Sequence, residues 1–295
     1  MNYSTTARKR AGGLHLVLVA ALVAGLALSV WPTPRVRAAS GSTVFAITTT
    51  NALLRFDSGA PGTILSTVAV SGLQVGENLL GIDFRPASRQ LYGLGSTSRL
   101  YAIDLTSGVA TQVGASPFAA SLIGTNFGFD FNPVVDRVRV VSDADQNLRL
   151  NPNNGGLAAT DLVLAYAAGD GNVGANPNCV GVAYTNSFAG ATTTTLYDID
   201  SNLDILTIQN PPNNGTLNTI GPLGFDTSGS VGFDIAPAGT AFASLSVSGL
   251  VRLFTINLAT GAATPVGSIG TGATAIRDIA IAPPTVVYLP LILKQ

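Results

Sequence analysis

The stretch Gly128-Phe-Asp-Phe-Asn-Pro133 decides the fold, because close copies of it return along the chain. The copies, here called the repeat motif, are Gly81-Ile-Asp-Phe-Arg-Pro86, Gly128-Phe-Asp-Phe-Asn-Pro133, Gly181-Val-Ala-Tyr-Thr-Asn186, Gly232-Phe-Asp-Ile-Ala-Pro237 and Asp278-Ile-Ala-Ile-Ala-Pro283. They begin 47, 53, 51 and 46 residues apart. A period of about 40–50 residues with strand-like content is typical of β-propeller blades.

Further strand signals follow each repeat motif. After Pro86, residues 90–94, 99–105 and 110–113 alternate Leu, β-branched and aromatic residues with polar ones, and turns separate them. Such alternation between Gly- and Ser-containing turns predicts β-strands. A motif strand and three followers make four strands per period, which is one propeller blade.

The two ends of the chain predict how the ring closes. Residues 44–47, 53–56 and 64–68 read as second, third and fourth strands with no first strand before them, whereas the motif at Asp278 is a first strand with nothing after it. Joining them completes a blade and leaves no open sheet edge. The sequence therefore predicts an all-β fold: a β-propeller of five four-stranded blades, closed by pairing of the N- and C-terminal strands. A six-bladed ring or an open arrangement is the alternative, because residues 151–180 could hide an irregular strand pair.

The N-terminus has the pattern of a secretory signal. Basic residues 8–10 precede the apolar run 14–30, and Val36-Arg37-Ala38 resembles a processing site. We predict a signal peptide over 1–38, cleaved after Ala38 or Ala39, with an uncleaved membrane anchor as the alternative. The predicted domains are then the signal peptide, a propeller over 39–283 and an apolar C-terminal tail over 284–295. The tail could be a sorting signal or a strand that packs on the propeller. The mature chain should be secreted or associated with the cell surface and should carry no transmembrane helix.

Composition narrows the chemistry of the mature chain. His15, Trp31 and Met1 all lie in the predicted signal peptide, and ten basic against sixteen acidic residues remain, a net charge of −6. Nucleic-acid binding is disfavoured, because it needs clustered Lys and Arg. Without histidine, a Ser–His–Asp arrangement and a histidine zinc site are excluded. The sequence therefore disfavours an enzyme, although paired Asp residues could still act as acid and base.

The segment around residue 142 supplies the candidate ligand-binding site. Alternation along a strand puts Arg137 and Arg139 on one face, and Arg149 should meet them from the next strand. Guanidinium groups bind carboxylate or sulfate bidentately. The candidate residues are Arg137, Arg139, Gln146, Asn147 and Arg149. The alternative is an ion-pair network with Asp136, Asp143 and Asp145.

Three motif aspartates form a candidate metal site. Asp83, Asp130 and Asp234 occupy equivalent positions on strands that should line the central channel. Carboxylate oxygens there could bind a hard cation such as calcium, the one cofactor that the sequence suggests. Ala183 and Ala280 stand at the other two positions, which leaves the ring incomplete. The alternative is local: an Asp three residues before Pro can accept backbone hydrogen bonds and hold the turn.

Three long runs carry a family resemblance: residues 136–152, residues 183–200 and Gln209-Asn-Pro-Pro-Asn-Asn-Gly-Thr-Leu217. Through them the chain resembles, over about residues 43–283, a secreted bacterial family catalogued as domain of unknown function 4394. The resemblance implies a propeller-like repeat fold and no established activity.

Three functional hypotheses follow from these patterns. The first is a non-catalytic binding module for a glycan, a peptide or a surface protein. The second is an extracellular polysaccharide hydrolase or lyase that uses Asp and Arg residues. The third is a purely structural envelope protein. The sequence places no constraint on the oligomeric state.

Overall fold

Five antiparallel sheets follow the five repeats. The computed structural model describes residues 41–284. The predicted signal peptide and, apart from Pro284, the predicted tail lie outside the described residues. Helix in the described part is limited to one 3-10 turn, Pro212–Asn214. No helix within residues 41–284 has both the length and the apolar character needed to cross a membrane.

Each blade begins with a strand formed by the repeat motif. Blade one contains β21 (Ile276–Ile281), β1 (Thr43–Thr48), β2 (Ala52–Asp57) and β3 (Ile64–Ala69). Blade two contains β4 (Leu79–Phe84), β5 (Leu91–Gly95), β6 (Arg99–Ile103) and β7 (Ala110–Val113). Blade three contains β8 (Phe127–Asn132), β9 (Arg137–Ser142), β10 (Asn147–Leu150) and β11 (Leu157–Thr160). Blade four contains β13 (Cys179–Tyr184), β14 (Leu196–Asp200), β15 (Ile205–Gln209), β16 (Thr216–Pro222) and β12 (Ala165–Tyr166). Blade five contains β17 (Gly232–Ile235), β18 (Ala241–Val247), β19 (Leu250–Ile256) and β20 (Ala263–Ser268).

The ring closes within blade one. Strand β21 pairs antiparallel with β1, and Phe45 lies opposite Ala280. The Ala282 N–H extends this ladder by donating to the Thr43 carbonyl oxygen at 2.9 Å. The five inner strands contact one another in the circular order β21, β4, β8, β13, β17 and back to β21. Five blades and closure by the terminal strands, both predicted from the repeat spacing, are confirmed.

Residues 151–180 contain two strands that the sequence left unassigned, but they do not form a sixth blade. Strand β11 completes blade three by pairing with β10. The two-residue β12 pairs in parallel with β16 and adds a fifth strand to the outer edge of blade four. The six-bladed and open alternatives are therefore wrong. The irregular loop connects two blades of unequal width.

Buried side chains of the repeat motif fill the gaps between blades, and its glycine permits that contact. Ile82, Phe129, Phe131 and Phe233 are all at most 2% exposed. A Cβ added at Gly81 would lie 2.5 Å from the Phe129 Cβ of the next blade, closer than real carbon atoms approach. The first position of the motif is therefore glycine because neighbouring inner strands come close there. The core lies in the joints between blades, and these joints hold the channel-lining strands in place.

Candidate functional site

The predicted arginines meet at the joint between blades three and four. Arg139 on β9 lies directly opposite Arg149 on β10, and Asn132 pairs with Arg137 two positions along. Cross-strand partners project from the same face of a sheet, so the three guanidinium groups share one side. They line a cavity of about 210 Å³, here called the arginine pocket; its polar lining is Asn132, Arg137, Arg139, Arg149, Tyr184 and Asn213.

Arg139 is the buried anchor of the arginine pocket. It is 1% exposed. Its Nη1 donates to Asn147 Oδ1 at 2.5 Å and to Asp161 Oδ2 at 2.6 Å, and its Nη2 donates to Asn213 Oδ1 at 2.8 Å. A guanidinium that is enclosed by acceptors in this way is held rigidly. Arg139 therefore organises the floor of the pocket.

Arg149 and Arg137 remain accessible at the pocket. The Arg149 side chain is 31% exposed and holds both carboxylate oxygens of Asp161, at 2.7 and 2.9 Å. Arg137 is half-buried and, within the described residues, donates one hydrogen bond, to the backbone carbonyl oxygen of Asp136. Asp161 is thus the one carboxylate in the described chain that pairs with this group of three cations. The arginine pocket carries an excess of positive charge and has unused donors.

The three acids that were predicted to pair with these arginines form no ion pair with them. Asp136 pairs with Arg85 instead, and Asp143 accepts the N–H groups of Thr125 and Asn126. Asp145 forms none of the salt bridges among residues 41–284. These acids lie in the turns at the two ends of β9.

The two predicted polar residues, Gln146 and Asn147, hydrogen-bond to other groups of the protein. Gln146 lies outside the pocket lining, because its Oε1 accepts the Ile123 N–H and its Nε2 donates to the Ser121 carbonyl oxygen. Asn147 is 1% exposed and contacts the pocket through Arg139. The structure therefore brings Arg137, Arg139 and Arg149 together with Asn147 behind them, and it places Gln146 elsewhere.

Sequence reasoning missed three residues of this site. Tyr184 stands at the fourth position of the repeat motif, where the other copies have Phe or Ile. The sequence could have indicated a polar site here, because this copy of the motif alone has a hydroxyl group at that position. Asp161 and Asn213 come from a loop and from the 3-10 turn, and no spacing rule links them to the arginines.

The three motif aspartates converge across the channel. One carboxylate oxygen from each of Asp83, Asp130 and Asp234 lies within 4.8 Å of the other two. We call this group the aspartate cluster. Its members are only 2–3% exposed. Since Asp83 and Asp234 belong to blades that are not adjacent, their oxygens can meet only across the ring axis.

Each clustered aspartate also connects two blades. Asp83 Oδ2 accepts the Phe131 N–H at 2.8 Å, Asp130 Oδ1 accepts the Tyr184 N–H at 3.0 Å, and Asp234 Oδ2 accepts the Ile281 N–H at 2.5 Å. Each donor belongs to the inner strand of the following blade. Asp83 also accepts a local hydrogen bond, from the Phe84 N–H at 2.6 Å. The carboxylates thus accept backbone hydrogen bonds, as the alternative to a metal site expects, and the donors in the following blades make them bridges between blades.

A fourth carboxylate enters the channel from an unexpected position. Asp278 occupies the glycine position of the fifth repeat motif, and its Oδ2 accepts the Ile82 N–H at 2.8 Å. Alignment of the motif could not reveal this, because the equivalent Asp position in blade one is Ala280. In blade one, the bridge to the next blade is therefore made by a residue two positions earlier in the motif than in blades two, three and five.

Burial raises the pKa values of the aspartates in the channel. Burial and the neighbouring charge of Asp234 raise the pKa of Asp83 well above its usual range, and burial with the charge of Asp83 does the same for Asp130. Burial raises the pKa of Asp234 to about 6, although the Ile281 N–H opposes the shift. Buried like charges this close repel strongly, so the cluster needs compensation by protons or by a cation.

The family model described as Domain of unknown function (DUF4394) matches residues 52–280 of the chain. The comparison with curated proteins gave no match.

Several solved structures resemble the chain at low sequence identity. A structural-genomics protein of unknown function from Bacteroides thetaiotaomicron VPI-5482 is 15% identical, with a TM-score of 0.48 over 83% of this chain and 65% of that one. A chain of a nidogen/laminin complex is 12% identical, with a TM-score of 0.46 over 82% and 98%. PorZ, a surface component of the type-IX secretion system of Porphyromonas gingivalis, is 15% identical, with a TM-score of 0.39 over 78% of this chain. The chain spans 28% of the length of PorZ. With identities of 12–15% and TM-scores below 0.5, these likenesses carry no argument about the function of this chain.

Proposed function

Because the chain belongs to the DUF4394 family, which is defined without a known function, we propose a function from the site itself: a non-catalytic propeller that binds an anionic group in the arginine pocket. The ligand class is a carboxylate or sulfate group carried by an extracellular glycan. The observation that carries this proposal is the excess of guanidinium groups in the pocket, where three arginines share Asp161.

The size of the arginine pocket favours recognition of a single charged group. Its volume of about 210 Å³ lies below the range of roughly 300–1,000 Å³ that is usual for pockets enclosing a whole small molecule. A pendant carboxylate or sulfate would fit, with the rest of the polymer outside. Arg137 donates through Nη1 alone and Arg149 through Nε and Nη2, so their remaining guanidinium donors could hold a planar or tetrahedral oxyanion, whereas Arg139 is already held by the protein.

The geometry gives no support to a hydrolase or lyase. Glycoside hydrolysis needs two carboxyl groups flanking an accessible bond, about 5–9.5 Å apart. Asp161 is held by two arginines, and the aspartate cluster is buried in the channel beyond the reach of a polymer. A binding role requires neither an acid nor a base.

We further propose that the protein acts outside the cytoplasm, either secreted or at the cell surface. The support is the sequence pattern of residues 1–38, with a basic segment, an apolar run and a processing site. N-terminal sequencing of the protein recovered from culture medium and from the cell envelope tests this. A chain that starts at Met1 and stays with the cytoplasmic fraction would contradict it.

Removing the two accessible arginines should weaken anion binding strongly. We expect the full chain to bind polygalacturonate or dextran sulfate, but not neutral dextran, in isothermal titration at 0.15 M salt. Arg137→Ala combined with Arg149→Ala should weaken binding by at least about tenfold, because hydrogen bonds between charged groups contribute about 1.5–3 kcal/mol each.

The matched control changes the same charge elsewhere. Arg99→Ala combined with Arg252→Ala removes two partly buried arginines from blades two and five. This variant should bind like the wild type. Equal weakening in both double variants would show a diffuse charge effect and contradict the pocket. Absence of binding to either anionic polymer would contradict the proposed function.

A further inference from the structure

The aspartate cluster has the ligand chemistry of a hard cation. Three carboxylate oxygens lie within 4.8 Å of one another at the ring axis. No salt bridge among residues 41–284 involves these acids. The protein therefore gathers three acidic groups on the axis, and no basic side chain among the described residues pairs with them.

A second, independent observation points to a missing partner. Asp234 is 3% exposed, and its Oδ1 is fully buried without a hydrogen-bond partner. Its other oxygen is already occupied by the Ile281 N–H. Burial of an unsatisfied carboxylate oxygen is costly, and native structures seldom leave one without an ion, a water or a donor.

The spacing of the carboxylate oxygens is compatible with calcium. Calcium binds oxygen at 2.3–2.6 Å, so two ligands of one ion can be up to about 5 Å apart. The three oxygens, all within 4.8 Å of one another, meet this condition without movement of the strands. A backbone N–H group of the following blade holds one oxygen of each carboxylate, and the Phe84 N–H holds the second oxygen of Asp83, so the orientation of the carboxylates is fixed.

We propose that Asp83, Asp130 and Asp234 bind one calcium ion on the axis of the propeller. The ion joins blades two, three and five, which lie on different sides of the ring. This proposal is separate from anion binding in the arginine pocket, because the two sites share no residue.

Calcium titration of the full chain tests the proposal. After treatment with EDTA and dialysis, isothermal titration with CaCl2 should show one site per chain. A ligand that binds the folded state alone raises stability with its concentration, so the Tm should rise by about 5–10 °C at a hundredfold excess over Kd. Asp234→Asn should weaken calcium binding at least tenfold, and its amide oxygen can still accept the Ile281 N–H.

Asp198→Asn is the control. Asp198 is another fully buried aspartate with unpartnered oxygens, located in blade four outside the cluster. Its calcium affinity should equal that of the wild type. If Asp234→Asn does not fold, Asp130→Asn replaces it with the same expected loss. No heat of binding and no change in Tm at 5 mM CaCl2, or equal binding by Asp234→Asn and the wild type, would overturn the proposal.

Discussion

Arg139→Ala is expected to destabilise the propeller by about 3–5 kcal/mol, because it removes one partner of a buried ion pair. The substitution leaves the oxygens of Asn147 and Asn213 without their donor and opens a cavity between blades three and four. For a domain of this size, such a loss lowers the Tm by roughly 6–20 °C. Thermal and urea unfolding of the purified variant measure the effect.

Arg149→Ala is the matched control on the same carboxylate. Its side chain is 31% exposed and Asp161 keeps its ion pair with Arg139, so we expect a loss of about 1 kcal/mol. Arg139→Lys should also be strongly destabilised, because one ammonium group cannot reproduce a planar set of donors. Equal small losses for Arg139→Ala and Arg149→Ala would show that the buried network does not stabilise the joint.

The stability of the chain should fall as the pH rises from 5 to 8, and Asp198 should account for a separable part of the fall. Burial raises the pKa of Asp198 to about 8, although the charge of Arg139 opposes the shift. An aspartate in an unfolded chain has a pKa of about 3.9, so between these two values the folded state holds a proton that the unfolded state has lost. This contribution is complete below the unfolded pKa and is lost as the pH rises through the folded pKa.

Asp198→Asn removes this dependence, since an amide does not titrate. Relative to the wild type, the variant should gain about 3 kcal/mol in free energy of unfolding between pH 5 and pH 8, because one group changes stability by at most about 1.4 kcal/mol per pH unit. Urea unfolding at several pH values measures it. Asp226→Asn, at an exposed position, should run parallel to the wild type. Parallel curves for Asp198→Asn and the wild type would contradict the assignment.

The number of blades and their closure could be predicted because both follow from spacing along the chain. Each copy of the repeat motif marks the inner strand of one blade, so the number of copies gives the number of blades. The incomplete repeats at the two ends of the chain imply that the terminal strands pair with each other. The fifth strand of blade four could not be predicted in this way. Ala165 and Tyr166 form only two pairs, with Thr216 and Leu217, and a two-residue strand has no alternation to detect.

The candidate sites were predictable where residues lie on strands and were not where they lie in loops. Cross-strand pairing brought Arg149 to Arg139, as alternation implies. Asp161, which pairs with both, lies just after the end of β11, and no pattern fixes its direction. Asp278 lies on a strand and was still missed. Comparison of the motif position by position looked for an acid at the third position, whereas this carboxylate reaches the channel from the first, glycine position.

The aspartate bridges between inner strands distinguish one joint from the other four. Asp278, Asp83, Asp130 and Asp234 link blades one to two, two to three, three to four and five to one, whereas Ala183 offers no such link from blade four to blade five. Blades four and five meet through a cluster of buried apolar side chains, as other joints do, including Val180, Phe233 and Phe254. Apolar contact is not directional, so we expect blades four and five to shift relative to each other more easily than other neighbouring blades. We also expect this joint to be the best place to open the ring in a circular permutation.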